Sequence, residues 1–239
     1  MKIGIVGGEK DRKIYFNGFW STNTQSDDGL GLVRVYNNDV TFDNKDNKSG
    51  IDVFFNFTAF DGSVDNTPAI TIGESKTDSK SVCVTINGGI YASLGRSCIS
   101  IQNDSICIIN DGIFATQPSS KFLVDEKTSP EEYAKYGKYR NFLLQRKEGA
   151  DKKNNFLVRG GYFLGFDPAD NYSDDGNKTN FVCKGYKSVL NGTYTYRVKD
   201  SNSIYNNKLV TVPVYRVVAK DDINYLDVYG IDGVVDYKI

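Results

Sequence analysis

The chain has 239 residues, 39% of them hydrophobic, and its 29 basic and 30 acidic residues leave a net charge of −1. That length can bury a real core as one long domain or two small ones. The balanced charge lacks the basic excess that nucleic-acid binding needs. No apolar run reaches the roughly 18 residues of a transmembrane helix, so neither nucleic acid nor membrane is an expected partner.

The residue types favour strands over helices. There are 14 Phe, 16 Tyr, and a single Met, and β-branched and aromatic side chains suit a pleated, half-buried surface. The 23 Gly and 22 Asn tolerate the left-handed backbone that tight turns between short strands require. Cys83, Cys98, Cys107 and Cys183 form no CxxC pair, and the chain has no histidine. They read as free thiols buried among apolar neighbours rather than metal ligands.

In chain order, residues 1–10 hold too short an apolar run for a secretion signal. Within them Gly4-Ile5-Val6-Gly7-Gly8 echoes a dinucleotide-binding turn, but the third Gly and the following helix pattern are missing, so no cofactor is expected. Segments 14–20, 32–42, 51–60 and 69–73 read as short strands, with an exposed loop over 43–50. Next come two close copies of one pattern, Thr85-Ile86-Asn87-Gly88-Gly89-Ile90-Tyr91-Ala92 and Ile108-Ile109-Asn110-Asp111-Gly112-Ile113-Phe114-Ala115, spaced 112 − 89 = 23 residues apart. A third copy is Leu157–Leu164, 161 − 112 = 49 residues later, and a looser one is Ile14–Trp20. Between the second and third copies, Ser129-Pro130-Glu131-Glu132 is a helix-start signal and predicts a helical insertion near 130–147. After Asp200 the repeat stops. Lys208–Val218, Ile223–Tyr229 and Val234–Tyr237 read as further strands.

A period of 23 residues holding two or three alternating strands matches one coil of a parallel β-helix. Inward residues, assigned as Val84, Ile86, Ile99, Ile101, Ile106 and Ile108, are covered only when coils stack about 4.8 Å apart. Corner Asn and Gly supply the turns, and stacked Asn side chains bond along the column. A two-sheet sandwich shares the alternation but not the 23-residue self-similarity. The expected fold is therefore all-β: a right-handed parallel β-helix over 1–198 with the helical insertion, and a small C-terminal β module over 199–239. The module serves either as an end cap or for docking and oligomerisation, because an open end exposes unpaired backbone.

Gly160-Gly161-Tyr162-Phe163-Leu164-Gly165-Phe166-Asp167-Pro168-Ala169-Asp170-Asn171 runs on into Thr179-Asn180-Phe181-Val182-Cys183-Lys184-Gly185-Tyr186-Lys187 and Asn191-Gly192-Thr193-Tyr194-Thr195-Tyr196. Over residues 84–115 and 156–198 the chain resembles the INGG-repeat β-helix proteins of gut Bacteroidales and their crAss-like phages. The helical insertion and the last 40 or so residues depart from the usual form of that family. The resemblance implies a non-catalytic virion protein, a head fibre, decoration or spike subunit on the capsid or tail, with possible adhesion to host or mucosal glycans. The missing secretion signal fits assembly in the host cytoplasm and exposure on the particle. A homodimer or homotrimer is expected.

The alternatives are a polysaccharide-degrading tailspike-like enzyme and a bacterial surface adhesin. Sugar cleavage wants two carboxylates flanking a groove. Asp27, Asp28, Asp61, Asp65, Asp167, Asp170, Asp174 and Asp175 are available, but all lie in Gly/Ser/Asn-rich stretches where Asp serves turns. Asp170, Asp174 and Asp175 fit no EF-hand spacing, so no metal site is expected. For glycan or partner contact the candidates are Tyr15, Trp20 and Tyr162, whose rings flank the Gly turns and can stack on sugar faces or on neighbouring coils.

Overall fold

A computed structural model describes residues 2–3, 13–19, 33–43, 50–57, 68–74, 80–93, 97–116, 126–136, 142–146, 155–172, 178–200 and 203–221. In chain order the strands are β1 (Lys2–Ile3), β2 (Lys13–Phe19), β3 (Val33–Val35), β4 (Val40–Phe42), β5 (Gly50–Phe57), β6 (Ile70–Ile72), β7 (Cys83–Ser93), β8 (Ile99–Ile101) and β9 (Ile106–Thr116). After helix α1 (Pro130–Tyr136) come β10 (Leu144–Arg146), β11 (Phe156–Val158), β12 (Gly161–Leu164), β13 (Asn171–Tyr172), β14 (Lys178–Thr179), β15 (Tyr186–Asp200) and β16 (Ser203–Ala219). The chain is an all-β protein.

Parallel pairing arranges these strands in three columns. The first stacks β1, β4, the first half of β7, the first half of β9, and β11. The second stacks β2, β5, the second halves of β7 and β9, and β12. The third is the four-stranded sheet β3-β6-β8-β10. From β3 onward the chain visits third, first and second column, in that order, four times. The pairing register reproduces the sequence repeat: Thr85 lies beside Ile108, Ile90 beside Ile113 and Tyr91 beside Phe114, with Phe163 next.

Stacking like on like generates the core. Tyr91, Phe114 and Phe163 form a ladder of rings, with centroids 5.2 and 5.1 Å apart and planes within about 11° of parallel. Phe42 meets Tyr91 edge-on at 6.2 Å. Gly112 and Gly161 both leave room for the Phe114 ring. Gly112, at φ +137°, bends its strand, and a Cβ there would fall 3.0 Å from the Phe114 ring. Asn110 Nδ2 donates to Asn87 Oδ1 at 2.8 Å, and Asn87 Nδ2 to Asp43 Oδ1 at 3.4 Å, giving the expected Asn ladder at this corner. At the next corner buried Asn155 donates to the Asn103 and Ser105 carbonyls at 3.0 and 2.8 Å.

The stack ends in an antiparallel cap. β16 pairs with β12 through Gly161–Val217 and Leu164–Val214, and β15 folds back on β16 as a long hairpin with a bulge between Leu190 and Thr193. The first column ends at residues 181–183. There Val158 N–H donates to the Phe181 carbonyl, Cys183 N–H donates to the Val158 carbonyl, and Phe181 covers Phe156 at 5.0 Å.

Several expectations change. Val84, Ile86, Ile99 and Ile101 are fully buried, but in β9 the inward residues are Cys107 and Ile109, while Ile106 and Ile108 are half-buried on the outward side. Four apolar residues in a row, Ile106-Cys107-Ile108-Ile109, hide the phase; pairing Val84 with Cys107 fixes it. The helix is described over Pro130–Tyr136, and Leu144–Arg146 is a strand beside β8 rather than helix. Phe142, Leu143, Leu144 and Gln145 are all buried, which a one-sided surface helix would not allow. The loose copy at 14–20 is out of step: through Phe54, the residue aligned with Tyr91 is Phe16, four positions before Trp20. The boundary at 198/199 falls inside β15. All four cysteines are free, with Cys98 and Cys107 buried but Cys83 and Cys183 half-buried. Most of the 43–50 loop and the strands read at 223–229 and 234–237 lie outside the described residues.

Candidate functional site

Tyr162 sits in β12 with its ring on the outward face, because the neighbouring Gly161 and Phe163 point into the core. Directly across the antiparallel pair is Arg216, whose guanidinium lies 5.3 Å over the Tyr162 ring. Beneath the ring, Leu164, Val210, Val212 and Val214 form a small second core with Ile113, Ala115 and Tyr194. Arg216 Nη1 is buried and makes no hydrogen bond.

Asp111 stands 23 residues after Gly88 in the repeat and, after a register shift at this corner, lies opposite Asn87. Burial pushes its carboxyl above the usual range, while the Gly112 N–H at 2.9 Å and the charge of Arg216 act the other way. Tyr162, Arg216 and Asp111 thus form one constellation at the joint between the repeat and its cap. It presents a ring under a guanidinium beside a single shielded carboxylate. Neither Arg216 nor Asp111 was singled out from sequence. The available signal was a lone charge, Arg216, inside the alternating run Val210–Val218.

The three aromatic candidates are only partly brought together. Tyr15 belongs to the same register row as Tyr162, through Val53, Ile90 and Ile113. Four strand spacings separate them, about 19 Å. Trp20 lies outside the described residues.

Among the carboxylates raised for sugar cleavage, Asp27, Asp28, Asp61, Asp65, Asp174 and Asp175 also lie outside the described residues. Asp167 and Asp170 belong to the loop that leads from β12 to the last rung of the first column. Asp167 Oδ1 accepts the Ala169 N–H at 2.9 Å, and Asp170 pairs with Lys178 at 2.8 Å. Buried Asn171 donates to the Pro168 and Thr179 carbonyls and accepts the Thr179 hydroxyl at 2.8 Å, while Phe181 N–H donates to the Pro168 carbonyl. The motif Phe166-Asp167-Pro168-Ala169-Asp170-Asn171 is therefore a self-bonded turn that places Phe181 on the core.

Burial raises the Cys98 and Cys107 thiols far above the usual cysteine range, which keeps them protonated and inert. Among the described residues no group of three or more His, Cys, Asp or Glu is placed to hold a metal ion. No helix among them is long and apolar enough to cross a membrane. Comparison with family models, curated proteins and solved structures finds no match for this chain.

Proposed function

We propose that the chain is a phage virion structural protein, a head fibre or surface decoration subunit attached to the capsid or tail and folded as a right-handed parallel β-helix. The observation that carries this reading is the stack itself, in which repeat copies lie in register over the Tyr91–Phe114–Phe163 ladder and end in an antiparallel cap. Such a stack is stiff and extends along one axis, which suits a particle projection. The right hand follows from the strong preference of parallel crossover connections. The resemblance of residues 160–196 to the INGG-repeat phage proteins supplies the virion context, with assembly in the host cytoplasm and display on the particle.

The reading is non-catalytic, without cofactor or metal, and places glycan or partner contact on the outside of the stack. It includes a homodimer or homotrimer. Half-buried Ile106, Ile108 and Leu157 give the outward face of the first column an apolar strip suited to side-by-side packing. Purified phage particles analysed by mass spectrometry, with immunogold labelling, should contain this chain at the surface. Its absence from particles, or release of reducing ends or unsaturated products from Bacteroidales capsular polysaccharide, would sink the proposal. Light scattering at high concentration should give two or three chains per particle rather than one.

A further inference from the structure

We infer that Asn191, in the bulge of the cap hairpin, is a self-modification site, where the chain converts its own asparagine to aspartate and isoaspartate. Such a site is independent of any role on a particle.

The dipeptide Asn-Gly occurs three times, at Asn17-Gly18, Asn87-Gly88 and Asn191-Gly192. In each, a side-chain amide stands just before a main-chain nitrogen. Glycine has no side chain to keep that nitrogen from the preceding carboxamide, and its backbone turns freely. The intrinsic chemistry is therefore alike at the three places, and the surroundings decide where it runs.

Two of the three are held. Asn17 and Gly18 lie in β2 in continuous parallel register, Asn17 beside Phe55 and Gly18 beside Asn56. At Asn87 the amide is clamped at both ends, since Oδ1 accepts from Asn110 Nδ2 at 2.8 Å and Nδ2 donates to Asp43 Oδ1 at 3.4 Å. Gly88 is buried, and its carbonyl accepts the Tyr91 hydroxyl at 2.8 Å. A carboxylate at position 87 would also replace a donor with a like charge facing Asp43.

Asn191 has none of this support. The β15–β16 register skips from Leu190–Tyr215 to Thr193–Pro213, so Asn191 and Gly192 together stand opposite Val214. A bulge of this kind disrupts the ladder locally. Gly192 is exposed at φ +90°, and Leu190 and Thr193 beside the pair are exposed too. β15 is also the last strand of its sheet, with no partner beyond it among the described residues. Water reaches the dipeptide, and little holds its backbone back from the bent geometry that ring closure needs.

The Gly192 nitrogen gives its proton to solvent and bonds to Asn191 Cγ. The Cγ–Nδ2 bond breaks, the leaving nitrogen takes up a proton, and ammonia departs from a succinimide ring. Water then adds to either ring carbonyl and a ring C–N bond opens. The product is aspartate, or isoaspartate with the main chain running through the former side chain. A water is consumed, an ammonia is released, and nothing is oxidised or reduced. Isoaspartate adds a carbon to the main chain at a point where the pairing already skips, so the hairpin absorbs it. At Asn87 the same insertion would break the stacked corner.

The test ages the full chain in mildly alkaline buffer, with and without urea, and follows tryptic peptides by mass spectrometry. Ile14–Arg34, Ser81–Arg96 and Ser188–Arg197 carry the three dipeptides separately. Electron-transfer fragmentation distinguishes isoaspartate from aspartate. In the folded chain Asn191 should convert at least about tenfold faster than Asn17 or Asn87, a barrier difference of about 1.4 kcal/mol. In urea the three rates should converge. The variant Asn110→Ala, altered at an exposed side chain, should speed conversion at Asn87 and leave Asn191 unchanged. An Asn191 rate no higher than the other two in the folded chain overturns the inference. So does a lead for Asn191 that persists in urea, or an Asn87 rate that Asn110→Ala does not move.

Discussion

The repeat and its cap hold together by different means. In the repeat each buried side chain meets its own counterpart one layer above and below, as Phe114 does between Tyr91 and Phe163. In the β15–β16 hairpin nearly all partners are unlike, as with Leu190 opposite Tyr215 and Tyr194 opposite Val212, and one face is open enough to leave Leu190 and Leu209 about two-thirds exposed. The repeat therefore derives its register from side-chain stacking over many layers. The cap derives it from hairpin connectivity, a bulge and the short pairing with β12. Errors in the first should propagate through the whole molecule, and errors in the second should stay local.

The sharpest way to break that contrast is Phe114→Ala. It removes the middle ring of the ladder and leaves a cavity between two stacked partners, so a loss of about 3–5 kcal/mol is expected in urea unfolding. A loss below about 1 kcal/mol would show that the ladder does not organise the stack. Next come two glycines of similar backbone but different surroundings. Gly112→Ala meets both positive φ and the Phe114 ring at 3.0 Å, whereas a Cβ at Gly185, φ +89°, meets nothing within 4 Å. The first should cost about 3 kcal/mol and the second about 1. Equal melting temperatures for the two variants would remove the distinction between repeat and cap.

A smaller effect concerns pH at the joint. Asp111 has a folded pKa raised above its unfolded one, chiefly by burial. The stability linked to its protonated form is full below the unfolded value, near 3.9, and is lost as pH rises through the folded value. Asp111→Asn should therefore melt no lower than the parent at neutral pH and lose that advantage as the pH falls, so its melting temperature drops more steeply toward acid than the parent's. A variant whose advantage over the parent grows toward acid would reverse the assigned sign. Smallest of all is Thr195→Val in the cap, which breaks the exposed hydroxyl pair with Thr211 at 2.7 Å. It should change stability by about 0.5 kcal/mol or less.

How much was legible beforehand follows the same division. The 23-residue spacing of the two best copies reappears as strand register, residue against residue, because identical coils can only bury their faces by stacking in phase. The helix start at Ser129–Glu132 was legible from local chemistry, but its end was not, because Leu144 and Gln145 are held by β8, far away in sequence. The inward phase of β9 was hidden by a continuous apolar run and needed the neighbouring strand to decide it. At the site, Tyr162 could be read as an aromatic beside a Gly turn. Its partner Arg216 could not, since 54 residues separate them and only the antiparallel return of β16 brings them face to face.

That return also sets a clock on synthesis. Leu164 and the Val214 that closes its edge are 50 positions apart. At ribosomal rates of about 5–20 residues per second, the last parallel strand waits some 3–10 s for its partner. Throughout that interval the nascent chain offers a preformed template to any other strand nearby. Crowded expression should therefore divert unfinished chains before it harms finished ones, and slowing translation between β12 and β16 should lower the yield more than slowing it after residue 219.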